Sequence, residues 1–463
     1  MLVNFFKISK ILLYLAPFAV IIVTPSTLFP FIVGKYTFFK VIVELALMFA
    51  ILGWGFEEKV SGIRYQVSGL FQNPLFIAVS FFVAIFTLAG FTGINPSGSF
   101  WSNFERGEGS FLMLHFYLFF VLLLLFLKSE KDWKNLFRVS VFAGILVMFY
   151  GMAGAFKLEG FVSVPFCDRF AGSLGNPAYI GTYTIFVLFY VGSLIASGDW
   201  RSKIWQRWNL PFLILLGLYF FVFLTFSQTR GGFLGLGVGV IAALFYLAFS
   251  MPQKFWRRAA LLTAVALIAL GSLGVYYRQY INLAPWCAEG GNRILDVSFG
   301  GATIGTRFVL WQQSIEAWKE RPLLGWGPEN FSIAFEKYYN PIHTVWFDRA
   351  HNIFFDYLIF GGILGLLSFV AMFAVFYAQF FTATGWQKLK QKDENLKKNQ
   401  YQNEKQNIAT MLTNTQFTVQ RAIIFALPLG YLIQGLVLFD VLPIYINLFL
   451  FLAFANYKFG TRS

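Results

Sequence analysis

Twelve stretches of about 20 predominantly apolar residues run through this chain, and few folds survive that constraint. A hydrocarbon core roughly 30 Å thick is crossed by about 20 residues of helix. The stretches lie near 9–25, 36–56, 74–92, 110–127, 138–155, 175–196, 209–228, 232–250, 259–277, 352–380, 421–439 and 443–457. Membrane-spanning β-strands would alternate apolar and polar residues, whereas these runs are continuous. The chain therefore reads as all-α: a polytopic transmembrane helix bundle of about 12 spans with a long, partly helical periplasmic loop. Only 13% of its residues are charged, about half the fraction of a soluble protein.

The net charge of +14 invites a nucleic-acid reading, and its distribution argues against one. With both termini placed in the cytoplasm, 23 Lys and Arg residues fall on the inner side and 13 on the outer. Seven of those 13 lie in one long loop, where the positive-inside rule is weak. The excess sets orientation, and no nucleic-acid partner is expected. Lys7 and Lys10 precede the first run and no small-residue cleavage site follows, so a retained span is expected rather than a removed leader. Cys167 and Cys287 both fall outside. A disulfide and a pair of separate thiols both stay open.

Residues 1–277 form spans one to nine, 278–350 the periplasmic loop, 351–381 span ten, 382–420 a charged cytoplasmic loop, and 421–463 the last two spans with a tail. The 382–420 segment is rich in Lys, Gln and Asn, as expected of a solvated, helical or disordered linker. In the outer loop, AEGGNRILDVSFGGATIG is glycine-rich and irregular. The next part, TRFVLWQQSIEAWKERP, is predicted helical. Phe308, Trp311, Ile315 and Trp318 share one face, and Pro322 stops the helix. Its aromatic face suits either the membrane surface or packing on the bundle. PLLGWGPENF then carries Gly325, Gly327 and Pro328, which specify a tight turn.

Ionisable residues inside spans are few: Glu44, His115, Asp356 and Lys40. Glu44 and Lys40 are four apart and can pair. Polar groups gather instead at the outer boundary. SQTRGGF sets Arg230 before Gly231 and Gly232 at a helix start, where unpaired N–H groups and a positive dipole end favour an anion. Glycines admit close approach, and a guanidinium fork matches phosphate oxygens. A pyrophosphate site and a snorkelling arginine anchor both fit this spacing. Lys35, Arg106, Arg169 and Arg307 share the same face. His351 opens span ten within DRAHNIFFDYLIFGGILGL. The helix dipole and Arg349 are expected to keep its imidazole neutral, the form that accepts a proton from a hydroxyl. Asp348 is placed to orient the ring. Asp356, about 140° further round the helix, is expected to face elsewhere. Capping by Asn352 is the alternative reason for this stretch.

The ordered set SQTRGGFLGL, PLLGWGPENF and DRAHNIFFDYLIFGGILGL resembles the O-antigen ligase and polymerase superfamily. FPFIVGK near 30, SFWSNFERGEGSF near 100 and RFAGSLGNPAYIG near 170 are also similar. The resemblance implies a bacterial inner-membrane glycosyltransferase. Such enzymes pass a glycan from undecaprenyl diphosphate to an acceptor hydroxyl, such as a lipid A-core sugar, at the periplasmic face. Polymerisation of glycan units and transfer to a protein hydroxyl belong to the same family. By this resemblance Arg230 binds the diphosphate and His351 activates the acceptor. Arg169 and Arg307 match basic positions, and Arg349, Gly231, Gly232, Asn352, Arg106 and Lys35 complete the expected substrate-binding set. No metal or cofactor is expected, since no carboxylate pair or histidine cluster is evident. A lipid-linked sugar flippase and a non-catalytic scaffold are the rivals from other classes.

Overall fold

The computed structural model describes residues 4–56, 69–103, 106–162, 169–198, 209–281, 302–382 and 404–459. Cys167, Cys287, the glycine-rich 282–301 stretch and residues 383–403 lie outside them. The described residues form α-helices and short 3-10 turns, without strands. In chain order the helices are α1 (Phe5–Leu15), α2 (Val33–Phe56), α3 (Pro74–Thr92), α4 (Pro96–Trp101) and α5 (Ser110–Phe126). Next come α6 (Glu130–Ala155), α7 (Pro177–Ala196), α8 (Asn209–Ser227), α9 (Arg230–Ser250) and α10 (Lys254–Tyr276). The last five are α11 (Ala302–Glu320), α12 (Phe331–Lys337), α13 (Ile353–Thr382), α14 (Glu404–Gly435) and α15 (Leu442–Phe459).

Ten of these are long and apolar enough to cross a membrane. The chain is an all-α, multi-pass membrane bundle. The other two expected spans are shorter. α5 has 17 residues. The first apolar run is α-helical only to Leu15, then continues as a 3-10 turn, Ala16–Ile21, with Pro17 at its start. Proline removes an N–H donor and clashes with the preceding turn, so it ends the α-helix there. The expected 382–420 loop is helical from Glu404, which α14 joins without a break to its span.

Asparagine followed by proline starts three helices. Asn73, Asn95 and Asn176 each accept a backbone N–H of the following turn, and Pro74, Pro96 and Pro177 take the first helical position, where the missing donor costs nothing. α15 is buried on nearly all sides, which places it at the bundle centre. α9 meets α14 through glycines. A Cβ on Gly235 would come 2.5 Å from the Gly430 carbonyl, and one on Gly430 would come 2.9 Å from that of Gly235. Small residues let two backbones approach in this way within a membrane.

α13 breaks at Gly362, with φ 61° and ψ −157°. The break exposes backbone groups, and the loop preceding α12 fills them. Trp326 N donates to the Ile359 carbonyl at 2.7 Å and Gly327 N to Phe360 at 3.0 Å. In return Ile363 N donates to Pro322 at 2.8 Å and Leu364 N to Leu323 at 3.3 Å. A buried backbone group without a partner is costly, so break and turn require each other. Gly325 has φ 67°, and a Cβ there would sit 2.3 Å from the Ile359 carbonyl. The PLLGWG turn is thus a plug for the interrupted helix.

Candidate functional site

The first turn of α13 fixes the loop turn that precedes it. Asn352 caps the helix by accepting Phe354 N–H at 2.9 Å. Asp356 reaches back and accepts Ala350 N–H at 2.7 Å. It therefore lies beneath this turn rather than facing elsewhere: a residue near the helix start can reach back to the backbone ahead of the cap. Trp311 of α11 donates its indole N–H to the Ala350 carbonyl at 2.9 Å and stacks on Phe355. Held at both ends, His351 takes φ 54°, which is rare for a residue with a Cβ. Its ring stands edge-on to Phe347 and Phe439, with centroids 5.4 and 5.0 Å away.

His351 Nδ1 lies 3.2 Å from the Arg349 carbonyl. A carbonyl only accepts, so Nδ1 carries the proton and Nε2 presents its lone pair. That tautomer suits a base. The imidazole pKa is lowered to about 4, by burial first and then by the Arg307 charge, with Arg106 adding to the effect. The expected neutrality is present, but its cause differs. Arg349 acts here through its carbonyl, whose bond to the ring works the other way. Asp348 does not orient the ring. It is clasped by Arg106, Nε to Oδ2 at 2.5 Å and Nη2 to Oδ1 at 2.9 Å.

Arg230 is the first residue of α9. Thr229 precedes it and donates its hydroxyl to the Pro177 carbonyl at 2.9 Å, so the α9 N-terminus has no side-chain cap. Gly231 and Gly232 have a packing reason that spacing alone does not convey. A Cβ on Gly231 would meet Gln434 at 2.3 Å, and one on Gly232 the Gly181 Cα at 2.9 Å. The space beside both is filled by α14 and α7, which leaves only their backbone N–H groups for a ligand. Arg307, in α11, links the two ends of the site: it feels the like charge of Arg230 and bears on His351. Burial and Arg230 both lower its pKa, and it makes no ion pair among the described residues.

The remaining basic residues divide. Arg169 (φ 70°) lies in the loop before α7. The next residue, Phe170, donates its N–H to the Phe226 carbonyl at 3.0 Å, beside the turn that leads to Arg230. Lys35 is buried and donates to the Ile22 and Ser173 carbonyls, both at 2.7 Å. It lines a cavity of about 30 Å³ with Arg106, Glu108 and Tyr179. Arg349 is 3% exposed. It is bonded to Glu329, lies 3.5 Å from Glu108, and has its guanidinium over the Phe360 ring.

Sequence reasoning missed these acids. Glu108 also accepts Leu442 N–H at 3.0 Å, and burial pushes its pKa up to about 8. Asp440 accepts the Tyr431 hydroxyl at 2.6 Å and that of Tyr357 at 3.2 Å, and burial raises it to about 6. Their distance along the chain hid the cluster; the local signal was one acid in each of three separate connecting segments. Intramembrane His115 is bonded to Glu44 at 2.9 Å and to the Phe111 carbonyl at 2.7 Å. Lys40 lies over the Tyr36 and Phe111 rings. Among the described residues no group of three or more His, Cys, Asp or Glu side chains could hold a metal ion.

Helix starts and the loops before them thus bring guanidinium groups and an uncharged imidazole to one end of a membrane bundle. The class so defined is a polytopic membrane protein, and this combination has the chemistry to take an anion beside a proton acceptor. Residues 212–370, which carry Arg230, Arg307 and His351, match the family model described as O-Antigen ligase. Through that match, which spans about a third of its length, the chain is similar to the O-antigen ligase superfamily. It is also similar to a general O-oligosaccharyltransferase of Acinetobacter baylyi, 29% identical over 184 residues. The match takes in 39% of this chain and 30% of that relative's length.

Proposed function

We propose that this protein transfers a glycan from undecaprenyl diphosphate to an acceptor hydroxyl at the extracytoplasmic face, with a lipid A-core sugar as acceptor. One observation supports the reading: Arg307 lies within electrostatic reach of both Arg230 and His351, so two guanidinium charges adjoin a neutral base. The acceptor O–H donates its proton to His351 Nε2 while its oxygen attacks the anomeric carbon. The bond from that carbon to the diphosphate oxygen breaks, and the electron pair leaves with the diphosphate. Arg230, Arg307 and the uncapped N–H groups of α9 stabilise the departing charge. A bound diphosphate also offsets the Arg307 charge that depresses His351, so the donor raises the basicity of its own catalyst. In this reading Asn352 holds the turn and Arg349 locks it from below. Arg106, Arg169 and Lys35 set the potential that draws the anion in.

The name of the Acinetobacter baylyi relative favours a second reading, transfer to a protein hydroxyl. The same experiment separates them: purified protein in detergent, a lipid-linked glycan, and lipid A-core or a hydroxyl-bearing protein as acceptor. Arg230→Ala and His351→Ala are each expected to lower transfer by about 10²-fold or more. Transfer that persists in both would remove this assignment, and glycan movement without transfer would favour a flippase. We place the protein in the bacterial inner membrane with both termini cytoplasmic. A membrane-impermeant thiol reagent should then reach a cysteine introduced at 340 but not one at 395.

A further inference from the structure

Beside the catalytic turn, α12 and the 339–346 loop line an open cleft of about 350 Å³, within the roughly 300–1,000 Å³ of small-ligand sites. Trp346 and Tyr339 line it, 52% and 54% exposed. At its base is His343, 3% exposed, whose Nδ1 has no hydrogen-bond partner. The state of that nitrogen follows from its neighbours. Gln313 donates its amide N–H to the Tyr338 carbonyl, so its Oε1 accepts from His343 Nε2 at 2.7 Å. His343 therefore holds its proton on Nε2, and Nδ1 is a buried, bare acceptor. Burial lowers the pKa of the ring and keeps it so.

Thr344 adds an exposed hydroxyl that can donate or accept, and the other polar side chains around the cavity accept. Glu336 takes the Trp346 indole N–H on one oxygen at 3.2 Å and keeps the other. Tyr339 has committed its own proton to the His343 carbonyl at 3.0 Å. A ligand that supplies mainly O–H donors to this rim, with an acceptor for Thr344, and flat apolar faces to two aromatic rings is the best match. A peptide backbone brings a carbonyl for every N–H, and those carbonyls would meet lone pairs. A phospholipid headgroup brings phosphate against Glu336. A saccharide brings O–H donors and C–H faces together.

We infer that this cavity is a saccharide subsite, which holds a sugar of the glycan substrates a short way along from the reacting pair. The ring of Phe347 joins the two places, 5.4 Å from His343 and 5.4 Å from His351, centroid to centroid. The inference rests on the glycan-transfer reading above, and the experiment keeps the two apart. Trp346 is replaced by p-benzoylphenylalanine in the full chain in its native cells, and Phe308, next to Arg307, is replaced likewise in a second strain. After irradiation, adducts are identified by mass. Glycan captured at 346 is expected. A polyprenyl diphosphate on the adduct assigns the sugar to the donor, and its absence with acceptor mass attached assigns it to the acceptor. Only phospholipid, only protein, or no adduct at 346, while the label at 308 captures glycan, overturns the subsite alone. Glycan at neither position overturns the transfer reading, and the subsite with it. Independently, Trp346→Ala should raise KM for a multi-sugar substrate by about tenfold with little change in kcat, as expected for lost uniform binding. An unchanged KM would also reject it.

Discussion

At the scale of the residue, the proposed chemistry turns on an imidazole that stays unprotonated. With a pKa lowered to about 4, His351 remains a base far below the ordinary range near 6.5. Transfer should therefore hold from neutral pH down towards pH 5, instead of failing near 6.5. Since Arg307 contributes to the depression, Arg307→Gln should move the His351 titration upward. NMR titration of the ring in the detergent-solubilised protein measures this directly, and an unmoved midpoint would break the link between the two side chains. The sequence led to a neutral histidine through the helix start and the Arg349 charge, neither of which is among the causes at work. Those causes, burial and Arg307, were not legible, because Arg307 lies more than forty residues away along the chain. His343 was passed over for a similar reason: its open acceptor exists only because Gln313 fixes the other nitrogen.

Among elements, the apolar runs gave ten full-length helices because transfer free energy sums over neighbouring residues. Hydropathy does not report where backbone hydrogen bonds go. The Gly362 break, and the turn that fills it, were therefore invisible as a pair even though both glycine motifs stood out. In α11 the predicted aromatic stripe is partly exposed, while Leu310, Gln313, Ser314 and Ala317 face inward. The helix was right and its buried face was displaced, because long outer rings cover the rim of the contact. Gly325→Ala tests the helix plug. Positive φ and the clash with the Ile359 carbonyl should cost at least about 1–3 kcal/mol. Displacing the turn also shifts Glu329, the partner of Arg349, so transfer should fall along with the melting temperature. Full activity with an unchanged melting temperature would show that the plug does not hold the site.

For the whole molecule, one acidic cluster ties together parts of the chain that are far apart in sequence. Glu108 sits between α4 and α5, Glu329 follows the plug, Arg349 precedes α13, and Asp440 and Leu442 mark the start of α15. One guanidinium cannot neutralise all these buried acids, so the folded state retains protons that the unfolded chain releases. Glu108 has an ordinary value of 4.5 and a folded value of about 8. Its raised pKa makes stability fall as pH rises between those values, then level off. Asp440 has the same sign, but ends near 6. His351 has the opposite sign, and its contribution is complete once pH passes about 6.5. Between pH 7 and 8.5 Glu108 is thus the member of this set that still changes charge. Relative to a variant that is neutral at this position, the melting temperature of the wild-type protein should decline across that window. In Glu108→Gln, which stays neutral and retains an acceptor for Leu442 N–H, the decline should be clearly smaller. Matching declines in the two proteins would mean that Glu108 is already ionised in the folded bundle, and that Arg349 balances it without a bound proton.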